Sequence, residues 1–120
     1  MLIDSFPQRC IRFSVRILNL AEAITPRPRT RSVIDQLVRS ATSVGANTSE
    51  ALSAQSRADF VHKFEIALKE ARETTYWLEV VKQAKLTEDT RALEELAKEC
   101  GELTAILVAS VRTAKARATG

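Results

Sequence analysis

Glycine and proline are scarce in this chain, three of each among 120 residues. That leaves little material for long loops. There is a single histidine, His62. A di-metal helical bundle needs Glu-x-x-His pairs on two helices, and one histidine cannot supply them. H-E-x-x-H, C-x-x-C and Gly-rich phosphate loops are all missing. With no nucleophile–base pair and no metal cluster to name, we expect a protein that is not an enzyme and has no catalytic residue, metal or cofactor. The two cysteines, Cys10 and Cys100, fit no metal or redox spacing. Both fall on apolar stripes and read as buried, reduced thiols, which points to the cytoplasm. No segment reaches the roughly 18 apolar residues of a membrane span, and the most apolar run, Leu103 to Val111, is far shorter. The opening MLIDSFPQRC carries Asp4 and no apolar core, unlike a signal peptide. Aromatics are few and β-branched runs fewer, whereas Ala, Leu, Glu, Lys and Arg abound, which favours helix.

Periodicity predicts four helices, over about 7–24, 30–53, 57–85 and 88–116. In the first, Phe6, Cys10, Phe13, Ile17, Leu20 and Ile24 alternate in fours and threes, and Ile11, Val15 and Leu18 widen the apolar face. TPRPRTR, residues 25 to 31, ends it with two prolines. The second carries Val33, Ile34, Leu37, Val38, Ala41, Val44, Gly45, Thr48 and Leu52 on one face, with a capping-box spacing at Ser32 and Asp35, though the helix could start a turn earlier. The third follows a similar box at Ser56 and Asp59, and its stripe runs from Phe60 through Phe64, Ala67, Ala71, Thr75 and Leu78 to Val81. His62 is expected to face solvent or a subunit contact. Thr87 is the expected N-cap of the fourth, whose stripe is Leu93, Leu96, Ala97, Cys100, Leu103, Leu107 and Val111. Short links between amphipathic helices imply a single all-α domain, an antiparallel up-down-up-down four-helix bundle.

SVGANTSEA, residues 43 to 51, is unusually thin for a helix in such a bundle. Small side chains let backbones approach, and Phe13, Phe60, Phe64 or Trp77 could pack on them. Gly45 costs about 1 kcal/mol of helix propensity relative to alanine, which close contact could offset. Gly101 invites the same reading. Asn47 and Glu50 fit either an interhelical hydrogen bond, a tie to the following turn, or a contact with a subunit or ligand.

Residues 36 to 51, QLVRSATSVGANTSEA, resemble the signature of a bacterial four-helix-bundle family through Gln36, Leu37, Arg39, Ala41, Ser43, Val44, Asn47 and Glu50. The next helix is similar too, at Ala67, Leu68, Glu70, Ala71 and Glu73. The family includes the proteins encoded by intervening sequences in 23S ribosomal RNA genes and the accessory proteins of diversity-generating retroelements. The resemblance implies a homo-oligomer, with a pentamer as its expected form. It also implies RNA or DNA as a partner, and a reverse transcriptase or other protein beside it. It implies no reaction. Ala51 replaces the family's glycine, so the second helix should run on to Leu52 or Ala54.

The net charge of +3 is unevenly spread. Residues 1–31 carry a balance of +4, residues 86–111 one of −4 and residues 112–120 one of +3, while 32–85 are neutral. In an up-down-up-down bundle Arg9, Arg12 and Arg16 would share an end with Arg57, Arg112, Lys115 and Arg117, making one basic end. Cations at a helix C-terminus are expected, but near an N-terminus each costs a few tenths to about 1 kcal/mol. Arg9 and Arg12 therefore call for an acidic partner or a phosphate backbone. These seven residues are the candidates for nucleic-acid binding. Glu95 and Glu99, on the acidic fourth helix, could instead meet the basic first helix of a neighbouring subunit head to tail. Trp77, Val80 and Ile106 leave the main stripes and are candidate apolar centres of such an interface. The charges then admit two readings, a nucleic-acid-binding accessory protein or a protein-interaction scaffold whose charges serve self-assembly.

Overall fold

The computed structural model describes residues 5–119, with side chains as far as Arg117. Four helices follow one another: α1 (Phe6–Glu22), α2 (Pro28–Leu52), α3 (Arg57–Gln83) and α4 (Thr90–Thr119). Each packs on its neighbours in sequence, and α4 closes the ring against α1, while among the described residues the backbones of the diagonal pairs stay apart. The fold is an all-α four-helix bundle.

Local chemistry sets the ends. Ser5 Oγ accepts from the Gln8 N–H, and Pro7 sits in the first turn of α1, where its missing N–H costs nothing. The helix stops at Glu22, short of Ile24 and of the Thr25–Pro26 pair. α2 starts at Pro28, earlier than Ser32 would place it, because the Arg27 N–H finds Thr30 Oγ1 at 2.9 Å. It runs to Leu52, past Ala51. Ser56 caps α3 through the Asp59 N–H at 3.1 Å. α3 ends in a Schellman motif: Lys85 takes a left-handed φ of 54°, and the Leu86 N–H reaches back to the Val81 carbonyl at 3.1 Å. Leu86 then packs on the core. Asp89, not Thr87, caps α4: its Oδ1 accepts from the Ala92 N–H at 3.0 Å, while Thr87 Oγ1 braces the preceding turn.

The core forms two apolar clusters, one around Phe13, Ile17, Leu37, Leu78, Leu96 and Leu103, the other around Cys10, Val44, Phe64 and Leu107. The stripes expected from periodicity supply most of it. Besides Ile11, Val15 and Leu18, which are exposed, three positions on the main stripes differ: Ala51 is buried in place of Leu52, Thr74 in place of Thr75, and Ala97 is exposed. Each shift is one residue wide, the error expected when a face covered by two neighbours is read as one line.

The thin stretch of α2 serves backbone approach. A Cβ on Gly45 would lie 3.1 Å from the Cys10 Cβ, so α1 rests directly against it. What covers Gly45 is thus a small cysteine rather than an aromatic ring. Ser40 and Thr74 meet across α2 and α3 at 3.0 Å, both fully buried. Gly101 is different: it faces open space, so the packing expected there is absent. Gly101→Ala should therefore stabilise the fold by up to about 1 kcal/mol, the difference in helix propensity. Urea denaturation of the two proteins checks this; a loss of stability would mean that another chain covers the position.

Candidate nucleic-acid interface

Charge pairing divides the candidate arginines. Arg9 leans from α1 onto α4, where its Nη2 lies 2.6 Å from Glu99 Oε1, its Nε 3.2 Å from Glu99 Oε2, and its Nη2 3.3 Å from Glu102. These bonds, that to Glu99 foremost, raise its pKa further. Arg16 reaches Glu95 of the same chain at 3.6 Å. The acidic partner that Arg9 calls for is thus intramolecular, and Glu95 and Glu99 spend their charge within one subunit. Lys115 pairs with Glu65 at 3.1 Å. Arg12 is exposed on the outer side of α1. Arg57, Arg112 and Arg117 are exposed and make no ion pair among the described residues.

Arg57 and Arg117 stand around one cavity of about 670 Å³ between the α2–α3 turn and the last turns of α4. Phe60, Ser56, Ser110 and Thr113 also line it, and no acid does. At the opposite end the arginines lie among acids: Arg27 shares a cavity with Glu88 and Asp89, and Arg31 shares another with Glu22 and Asp35. The cavity at the α2–α3 end is thus lined by cations without an acid, unlike these two.

The signature residues do something else. Arg39, on α2, hydrogen-bonds Gln36 Oε1 at 3.0 Å, Glu70 Oε2 at 2.8 Å, and Glu73 Oε2. Glu73 also accepts from the Trp77 indole N–H at 3.0 Å. That indole bond first, then Arg39, holds the Glu73 carboxyl below the usual range; Arg39 in turn is held protonated above its own, by Glu73 most strongly. Gln36, Arg39, Glu70, Glu73 and Trp77 so form one polar chain linking α2 to α3. Ser43 Oγ bonds the Arg39 carbonyl at 2.7 Å, and Asn47 Nδ2 the Ser43 carbonyl at 2.9 Å. Asn47 is satisfied by the preceding turn of its own helix, not by another helix or the following turn. Glu50 pairs with Lys63 of α3 at 3.1 Å.

The match that decides the family runs over residues 5–109, to the 23S rRNA-intervening sequence proteins. The chain belongs to this family. A crystal structure of a protein of unknown function from the S23 ribosomal protein family of Bacteroides thetaiotaomicron is similar to it. The two are 36% identical, with a TM-score of 0.81, over 89% of this chain and 98% of the other. No curated protein matches. In this member of the intervening-sequence family the signature thus ties α2 to α3, while the unpaired cations lie elsewhere.

Among the apolar interface candidates, Trp77, Val80 and Ile106 are half-buried, and Trp77 packs on the core. Ile11, Val15 and Leu18 form the exposed apolar row, at 52%, 50% and 42% of full exposure. From the sequence they read as a widening of the core-facing stripe; they lie outside it because α2 and α4 together cover only one side of α1. Cys10 and Cys100 are buried, and burial pushes the Cys10 thiol up to about 11. His62 is exposed, and no helix of the described residues is long and apolar enough to cross a membrane.

Proposed function

We propose that this protein is a non-enzymatic accessory protein that assembles with copies of itself and binds nucleic acid through the α2–α3 end of the bundle. The observation that carries the reading is the set Arg57, Arg112 and Arg117, exposed at one end and in no ion pair among the described residues. Guanidinium groups suit phosphate oxygens, and repetition around an oligomer would multiply the contacts. Self-assembly is supported by the row Ile11, Val15 and Leu18, since three large apolar side chains on successive turns favour cover by another chain. The cytoplasm, where nucleic acid and reduced thiols are found together, fits both.

The test is binding of RNA and DNA duplexes across a salt series, with the mass of the protein followed by light scattering. Affinity should fall linearly in log–log salt. In the triple variant Arg57→Ala, Arg112→Ala, Arg117→Ala the slope should shrink by about 2 to 3 for each subunit in contact, or roughly 0.9 for each phosphate that is no longer neutralised. An oligomer that binds neither duplex at low salt would sink the nucleic-acid reading and leave a scaffold that uses its charges for assembly.

A further inference from the structure

Resting on that reading, we infer that the cavity between the α2–α3 turn and the end of α4 takes one unpaired base of a single strand, stacked on Phe60, with its phosphates on Arg57 and Arg117. Three observations converge. The open cleft, of about 670 Å³, has ample room for a base together with its sugar and phosphate. Its chemistry is divided: an aromatic ring in the lining, two unpaired arginines, and the hydroxyls of Ser56, Ser110 and Thr113. Finally, Phe60 packs against the buried Phe64, with ring centroids 4.7 Å apart and planes tilted by 58°. A ring held by a buried neighbour has little entropy left to lose when a base stacks on it.

The similar-sized cavity at the other end serves as an internal contrast. It holds about 570 Å³, no aromatic side chain, and Glu88 and Asp89 beside its bases. There Arg27 and Lys85 are offset by the two acids, and the lining offers a base nothing to stack on. A paired base inside a duplex cannot reach Phe60, whereas a single strand can turn one out at little cost, as aromatic platforms for single strands require. The hydroxyls could meet a base edge or sugar without demanding one sequence.

The experiment is fluorescence anisotropy with two labelled probes, a short single-stranded RNA of mixed sequence and its blunt duplex, and with a nucleoside monophosphate as competitor. Phe60→Leu keeps an apolar contact with Phe64 but removes the stacking face. It should weaken single-strand binding about tenfold and leave the duplex unchanged. Ala109→Leu, an exposed lining position away from the core, should narrow the cavity beside Phe60 with the same selective loss, so the proposal is testable even where Phe60→Leu does not fold. The inference is overturned, with basic-end binding intact, if both probes bind and neither variant separates them. It is overturned also if the monophosphate binds as tightly as the strand. If neither probe binds wild-type protein at low salt, the basic-end reading falls with it.

Discussion

Arg39→Ala is expected to remove about 2 to 3 kcal/mol of folding stability and to lower the thermal midpoint by roughly 10 °C. The cause is less the lost attraction than what is left behind. Glu70 is only 8% exposed, and Arg39 is its one ion-pair partner among the described residues. Without the guanidinium its carboxylate is desolvated and unbalanced. Arg39 itself is nearly half exposed, which keeps the loss below that of a wholly buried pair. Arg39→Lys should fall between, because a single ammonium cannot span Gln36, Glu70 and Glu73 together. Adding Glu70→Gln to Arg39→Ala should recover part of the loss. A single variant that denatures in urea like wild type would show that the signature does not hold α2 to α3.

The same cluster sets a pH dependence. Trp77 and then Arg39 lower the folded-state pKa of Glu73. A depressed carboxyl stabilises the fold above its unfolded pKa, about 4.3, and that contribution is lost as pH falls through the folded value. Part of the acid sensitivity below about pH 4.3 should therefore vanish in Glu73→Gln.

Gly45→Leu is the second large effect, with an expected cost of about 3 kcal/mol. Even a methyl group would press on Cys10 at 3.1 Å. An isobutyl group has to push α1 off α2. Gly45→Ala is a finer probe, since its gain in helix propensity, about 1 kcal/mol, opposes the squeeze. Paired urea titrations would read both. A Gly45→Leu protein with wild-type stability would mean that α1 shifts freely on α2.

The bundle was legible in the sequence because each buried stripe is a property of a single helix. Phe13, Ile17 and Leu20 announce a face whatever packs against it. What was not legible depends on how helices lie beside one another. Ile11, Val15 and Leu18 look like core until the coverage of α1 is known. Arg9 looks free until the offset of α1 along α4 sets it beside Glu99. Nothing in the sequence joins Glu70 to Arg39 until α3 is laid beside α2. The cavity at Phe60 needs three separate segments to be brought together, and only the charge of Arg57 and Arg117 hinted at it. Gly45 and Gly101 look alike in sequence, yet one touches a neighbouring helix and the other touches nothing.

The α1–α4 seam is the sparsest of the four, and paired charges run along its rim. Such an edge is the natural place for a partial opening. Ions in solution weaken exposed pairs far more than they weaken apolar packing, so ionic strength acts there as a loosening agent. Were α1 to swing out, Cys10 and Phe13 would become wet while α2 and α3 stayed clasped through Arg39. The bundle would then behave as a firm hairpin with a hinged door, and amide exchange in α1 is expected to quicken with salt before that of any other helix.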